Sequence, residues 1–314
     1  MFKAKIKSEI NEDICILIQV DNHPYNYICD CGDASNLSVK DCQNTNAIFL
    51  SHTHIDHFVN FDTILRHQIG IKRRVIICGP KNITKQIQSK IQSYCWNLIA
   101  EDAITYEIRE IIGDGTIKRA ELKPPYWNIN SIDDLKEDSV FQTKEFQVDY
   151  TVLDHKTESI AYLFKAHDTL KINIKNTDFK GGKWINELKE AFQLQQVNQI
   201  ITIEDKDYKA AELFYLINIK KGNTLGVILD HAASVENQEK IKQLFSNTDT
   251  VLIESFYKAS DKAFAEANYH SYSSASGAIM KACNVKEAIP VHFSRKYKAE
   301  DVEELIKEFN NAFE

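Results

Sequence analysis

Proline is scarce in this chain, with 5 residues in 314, and glycine is modest at 10. No long linker or low-complexity tract is therefore expected, and nothing repeats at solenoid spacing. Long apolar runs are missing as well, so no stretch is suited to span a bilayer. Positive charge is in short supply: 38 Lys and Arg face 45 Asp and Glu, a formal net charge of −7. A general nucleic-acid coat protein is usually basic, so that class is disfavoured; an enzyme gripping nucleic acid through a local patch is not. The seven cysteines lack paired metal-site spacing, because Cys29 and Cys31 form a lone C-x-C with no second thiol pair. Their number is odd, and no apolar leader follows Lys3, Lys5 and Lys7. Reduced, mostly buried thiols and a cytoplasmic location are the expectation.

What is present is a chain that can bury a sizeable core, with 43% hydrophobic residues. Short apolar runs predict strands at Ile14 to Val20, Tyr25 to Cys29, Ala47 to Leu50 and Arg74 to Cys78. Further strands are expected at Phe146 to Val152, Ile160 to Phe164, Leu225 to Leu229, Val251 to Ile253 and Ala288 to Val291. Helical spacing marks 82 to 98, with Ile83, Ile87, Ile91 and Cys95 on one face, and also 236 to 245, 274 to 283 and 300 to 309. Strands mixed with helices throughout suit an α/β architecture: two sheets packed together, with helices outside them. One domain spanning 1–314 is expected. Residues 165–210, Lys-rich and weakly patterned, read as an insertion or loosely packed lobe within it.

The central feature is Ser51-His52-Thr53-His54-Ile55-Asp56-His57. Three histidines and an aspartate fall within six residues, directly after a buried strand. Alternation puts His52 and His54 on one side; a turn then lets Asp56 and His57 point to a second centre. Imidazole nitrogen and carboxylate oxygen are natural ligands for zinc, and less selectively for manganese or iron. A lone histidine is more often a satisfied polar group than a ligand, but four ligand types in this register are not a chance polar loop. One loop cannot close two sites. His155, Asp230 and His292 each follow a predicted strand, where a rigid backbone aims them at one sheet edge. The expected set is His52, His54 and His155 around one cation and Asp56, His57 and His292 around another. Asp230 bridges the two. His231 is the weaker candidate beside Asp230, because adjacent strand residues face opposite ways.

These residues, in this order, resemble the metallo-β-lactamase superfamily, and within it the ribonuclease Z group. HxHxDH matches in full at His52 to His57, and Asp30-Cys31-Gly32 is similar to the D-C-G segment that precedes it. Leu153-Asp154-His155 followed by Ser159 to Tyr162 resembles the third motif, with Ala161 for the usual Gly. Asp249 to Glu254 resembles the D-x-L-x-x-E strand, His270-Ser271 the HST segment, and Val291 to Tyr297 the T-H-F-S-x-R-Y motif. Three features depart from the group: the sequence after His57, the absence of a glycine-threonine start, and a middle segment without Gly-Pro richness.

The resemblance implies an αββα sandwich of two mixed sheets and two divalent metal ions, zinc foremost and manganese second. It implies cleavage of phosphodiesters, with precursor tRNA as the RNA substrate and a homodimer as the working form. Asp56 would ligate a metal and take a proton from the attacking water, His270 would protonate the leaving oxygen, and Glu254 would hold His270. Ser294, Arg295 and Lys296, directly after a presumed ligand, are the candidates for gripping phosphate. Two rivals share the ligands: a hydrolase of small phosphodiesters such as cyclic nucleotides or of other esters, and a non-enzymatic metal-binding scaffold.

Overall fold

Strands buried on both faces build two sheets whose inner faces meet through aromatic side chains. A computed structural model of the chain describes every residue except Met1, Asn11, Asp114, Asp138 and Asn176. It divides into two compact units, Met1–Lys165 with Asn223–Glu314, and Ala166–Gly222.

In the larger unit, eight strands form the first sheet in sequential order. They are β1 (Phe2–Ile6), β2 (Cys15–Val20), β3 (Asn26–Cys31), β4 (Thr45–Phe49), β5 (Arg74–Gly79), β6 (Thr105–Ile111), β7 (Thr116–Leu122) and β8 (Asn130–Lys136). The run from β3 to β6 is parallel, and its flanks are antiparallel. The second sheet contains β9 (Ser139–Gln142), β10 (Phe146–Asp154), β11 (Glu158–Ala166), β12 (Thr224–Ile228), β13 (Thr250–Glu254) and β14 (Glu287–Val291). Its order is β14-β13-β12-β11-β10-β9, with β12, β13 and β14 parallel. Between the sheets, Tyr27 and Phe49 pack edge-to-face on Phe141, Phe146, Tyr162 and Phe164 at centroid distances of 5.0 to 5.7 Å. Such pairs add to the transfer free energy of large buried rings. Helices Phe61–Gln68 and Ile83–Gln92 cover the outer face of the first sheet. Val235–Phe245, Ser273–Ala282 and Ala299–Phe313 cover that of the second. The molecule thus has the expected αββα layering.

The strands anticipated from apolar runs are present, each within a few residues of its expected ends. The helix expected over 82 to 98 stops at Gln92. Its buried face, Ile83, Ile87 and Ile91, is as expected, but Cys95 is exposed. The cause is tertiary: the Trp96 indole N–H donates to the Ile91 carbonyl at 2.7 Å, satisfying an end-of-helix acceptor, while its ring packs on Trp127. The other six cysteines are buried, and all seven are free.

The smaller unit has its own core of Trp184, Leu188, Ala191, Ile201, Ile203 and Leu213 among others. Trp184, Leu188 and Ala191 recur at helical spacing on Trp184–Gln193 and form its buried face. Two antiparallel strand pairs complete it, Thr169–Ile172 with Ile217–Lys220 and the hairpin of Ile200–Ile203 with Lys206–Lys209.

Candidate metal centre

The end of strand β4, Ala47 to Phe49, is paired on both sides with β3 and β5, so the chain that leaves it starts from a fixed point. Asp30 then organises the loop. It sits in β3 where the register with β2 shifts, with φ at 53°, and is completely buried. This bulged conformation turns its carboxylate toward the loop. One oxygen accepts from the Ser51 N–H at 2.6 Å, and the other from the Ser51 hydroxyl at 2.5 Å and from His57 Nδ1 at 2.6 Å. Gly32, two residues on, admits the Asp56 carbonyl so closely that a Cβ there would lie 2.0 Å from it.

Each of three imidazoles is therefore held by Nδ1 with Nε2 turned inward. His57 donates to Asp30, His52 Nδ1 meets the Ser51 hydroxyl at 3.0 Å, and His155 Nδ1 donates to the Tyr269 carbonyl at 2.6 Å. A partner of this kind fixes tautomer and ring orientation for metal binding. His52, His54, His155 and Asp230 converge in one group, and Asp56, His57 and His292 in a second.

Asp230 stands between the groups. Its Oδ2 faces His155 Nε2 at 3.4 Å and His52 Nε2 at 3.8 Å. Its Oδ1 faces His292 Nδ1 at 2.7 Å and His57 Nε2 at 3.3 Å. Among the buried side-chain atoms of the described residues that lack a hydrogen-bond partner, four meet in this cluster: His52 Nε2, His57 Nε2, His292 Nδ1 and Asp230 Oδ1. Buried polar atoms left unpaired are costly, and cations between the two groups would satisfy them. The donor set, imidazole nitrogen with carboxylate oxygen, fits two divalent ions.

Electrostatics follow the burial. Burial and the charge of His57 push His52 well below its ordinary pKa, against the pull of Asp230. Asp230 is buried, which raises its pKa, yet His292 and His57 hold it well below the carboxylate range. Glu254 is likewise buried but held down to about 2, chiefly by His270. Burial lowers His270, and the Glu254 charge and hydrogen bond outweigh it, so its pKa is raised.

The pair expected from the family resemblance is in contact: His270 Nδ1 donates to Glu254 Oε1. Glu254 Oε2 accepts from the N–H groups of His231 and Ser271 at 3.2 and 3.1 Å. His231 itself joins no metal-binding group among the described residues. Its Nδ1 donates to the Leu229 carbonyl at 2.8 Å, so it orients Glu254 instead. The phosphate candidates separate. Ser294 and Arg295 line a cavity of about 390 Å³ that also touches Asp56 and His292. Arg295 is paired there with Asp13. Lys296 points elsewhere, 2.8 Å from Asp261 and about 5 Å from the ring centroids of Tyr257, Phe264 and Tyr297. Three orienting groups escaped the sequence reading: Ser51, the Tyr269 carbonyl and Asp30, whose D-C-G setting was the available signal.

Among solved structures, the metallo-β-lactamase fold protein YhfI from Bacillus subtilis superposes with a TM-score of 0.59, at 15% identity over 99% of this chain and 93% of that one. The chain has the metallo-β-lactamase fold. No family model matches it. Among curated proteins, it is 21% identical to ribonuclease Z of Deinococcus radiodurans over 319 residues, covering 98% of this chain and 94% of that protein. It is 27% identical to ribonuclease Z of Borreliella burgdorferi over 312 residues, covering 93% and 84%. The two ligand groups and this fold support a metal-dependent hydrolase of phosphodiester-type substrates.

Proposed function

We propose that the protein is an endoribonuclease of the ribonuclease Z kind, trimming the 3′ ends of precursor tRNA as a homodimer with two zinc ions per chain. The observation that carries the hydrolase reading is the division of Asp230, one oxygen toward each ligand group. Similarity to ribonuclease Z along nearly the whole chain supports the RNA substrate.

When bound, a pair of divalent cations makes water acidic enough to yield a nucleophile at neutral pH and offsets phosphate charge. The side chains supply the proton movements. Asp56 is the most exposed carboxylate of the set, at 35%, and accepts the proton of the attacking water. The expelled oxygen is a poor leaving group unless protonated. His270, its Nδ1 committed to Glu254, delivers a proton from Nε2, and Glu254 stabilises the charged imidazole that precedes transfer.

A specific observation favours a second reading, the hydrolysis of small phosphodiesters. Arg295 is neutralised by Asp13, and Lys296 by Asp261, so the cations nearest His292 are not free for a long polyanion. One experiment separates the two. Metal-replete protein is offered precursor tRNA, cyclic nucleotides and bis(p-nitrophenyl) phosphate, with His54→Ala as control. Cleavage of precursor tRNA at the 3′ end is expected, lost in the variant. Turnover of the small esters alone would leave the second reading standing, and turnover of none would sink both.

A further inference from the structure

The cavity on Asp56 and His292 has walls that phosphate cleavage does not require. Ile55, Val59, Phe256 and Phe293 form them. Ile55 and Val59 are four residues apart on one short helical segment, share a face, and are 77% and 37% exposed. Scattered surface aliphatics need no explanation, but this pair adjoins two aromatic rings in a concavity beside the metal ligands, which marks a binding surface.

Charge limits what the surface takes. Among the described residues lining the cavity, Arg295 is the one cation, and Asp13 holds it. Glu12 adds a carboxylate. A second phosphate entering here meets no free positive charge. Size limits it too: about 390 Å³ lies at the low end for ligand sites, enough for one ring system with its sugar and not for a folded RNA stem. Apolar walls beside a phosphate-cleaving centre suit a flat, weakly hydrated ring joined to that phosphate. Stacking on aromatic and aliphatic walls tolerates any base, because every base has a π-face.

We propose that this cavity receives the base of the one nucleoside esterified to the scissile phosphate, and that recognition on this side ends with that nucleoside. The inference rests on the phosphodiester reading and specifies its substrate: the scissile phosphate sits at the ligand groups, one nucleoside in the cavity, and no further phosphate is held beyond it.

Calorimetric titration of the zinc-loaded full chain tests this without turnover. The probes are ribose 5-phosphate, adenosine 5′-monophosphate and adenosine 3′,5′-bisphosphate. The monophosphate is expected to bind at least about ten-fold tighter than ribose 5-phosphate, the scale of one stacked base. The bisphosphate should gain nothing further. Ile55→Ser and Val59→Ser, at partly exposed positions where folding is not at stake, should each narrow the preference for the base. Leu98→Ser, 94% exposed and outside the cavity lining, should leave it intact. Equal affinity for the first two probes, or an undiminished preference in both cavity variants, overturns the proposal. A ten-fold gain from the second phosphate overturns its second half. Hydrolysis of bis(p-nitrophenyl) phosphate by the same preparations tests the hydrolase reading separately, so failure of one is not failure of the other.

Discussion

The ring of Phe256 lies flat on His270, with centroids 3.8 Å apart and planes within 4° of parallel. Glu254 fixes one nitrogen of the imidazole, and Phe256 fixes its plane. Phe256→Ala is therefore expected to slow cleavage of esters with poor, alkoxide-type leaving groups by about ten-fold, since small misplacement of an acid is expensive. Bis(p-nitrophenyl) phosphate, whose leaving group needs no proton, should lose much less. Phe256→Tyr, which keeps a ring on His270, should restore the lost rate. Comparing kcat on the two ester types is the check, and equal losses would reduce Phe256 to a packing residue.

Asp30 bonds to no substrate, yet its loss should be felt at the metals. Asp30→Asn removes the carboxylate that holds His57 and Ser51. Metal affinity is expected to fall by about 10- to 100-fold, the usual cost of losing such a partner. Titration of zinc against a competing chelator measures it. Unchanged affinity would show that β4 and the loop hold His57 without help.

Metal removal should destabilise the fold as well as silence it. The four partnerless atoms at the centre make the chelated protein the costlier state. Zinc at about a thousand times its dissociation constant contributes about 4 kcal/mol of linkage, which corresponds to roughly 5–10 °C in Tm for a chain of this size. Calorimetry with and without chelator checks this. Zinc, manganese and magnesium should shift Tm in the order of their true affinity.

Acid sensitivity should trace to Glu107 on β6. This buried carboxylate accepts from Arg74 at 2.6 Å, Arg109 at 2.9 Å and Arg119 at 3.0 Å. Burial raises its pKa, but Arg109 and the hydrogen bonds from all three arginines outweigh it, so the folded value lies below the ordinary one. A depressed folded pKa gives stability that is present above the unfolded value, about 4.3, and is lost as pH falls through the folded one. Glu107→Gln should cost about 2 kcal/mol at pH 7, moderated by the exposure of Arg74, and should flatten the loss of stability below about pH 4.3. Urea denaturation at pH 7 and pH 3.5 tests both parts. Parallel losses in the two proteins would count against it.

The ligands were legible because each follows a strand of short apolar residues, and strand ends are what periodicity reads best. His155, Asp230 and His292 lie within three residues of the ends of β10, β12 and β14. Asp30 was legible only as part of a motif, since its role comes from a register shift between β2 and β3 that no local pattern encodes. The strands from 105 to 136 went unread for a related reason. Glu107, Arg109 and Arg119 alternate with apolar residues there, and charges that pair across strands look like solvated surface in one dimension. Residues 165–210 gave little pattern because the core of Ala166–Gly222 draws on small contributions from several short helices and four short strands.

That segment leaves the second sheet at Lys165 and returns at Thr224, two residues that are direct partners in one antiparallel ladder. Its points of departure and return are therefore a hairpin's width apart, the spacing a short turn bridges without disturbing either strand. The ladder on either side of that pair is therefore set by the two strands themselves. A chain that joined Lys165 to Thr224 by such a turn should keep the second sheet, and with it the positions of His155 and Asp230.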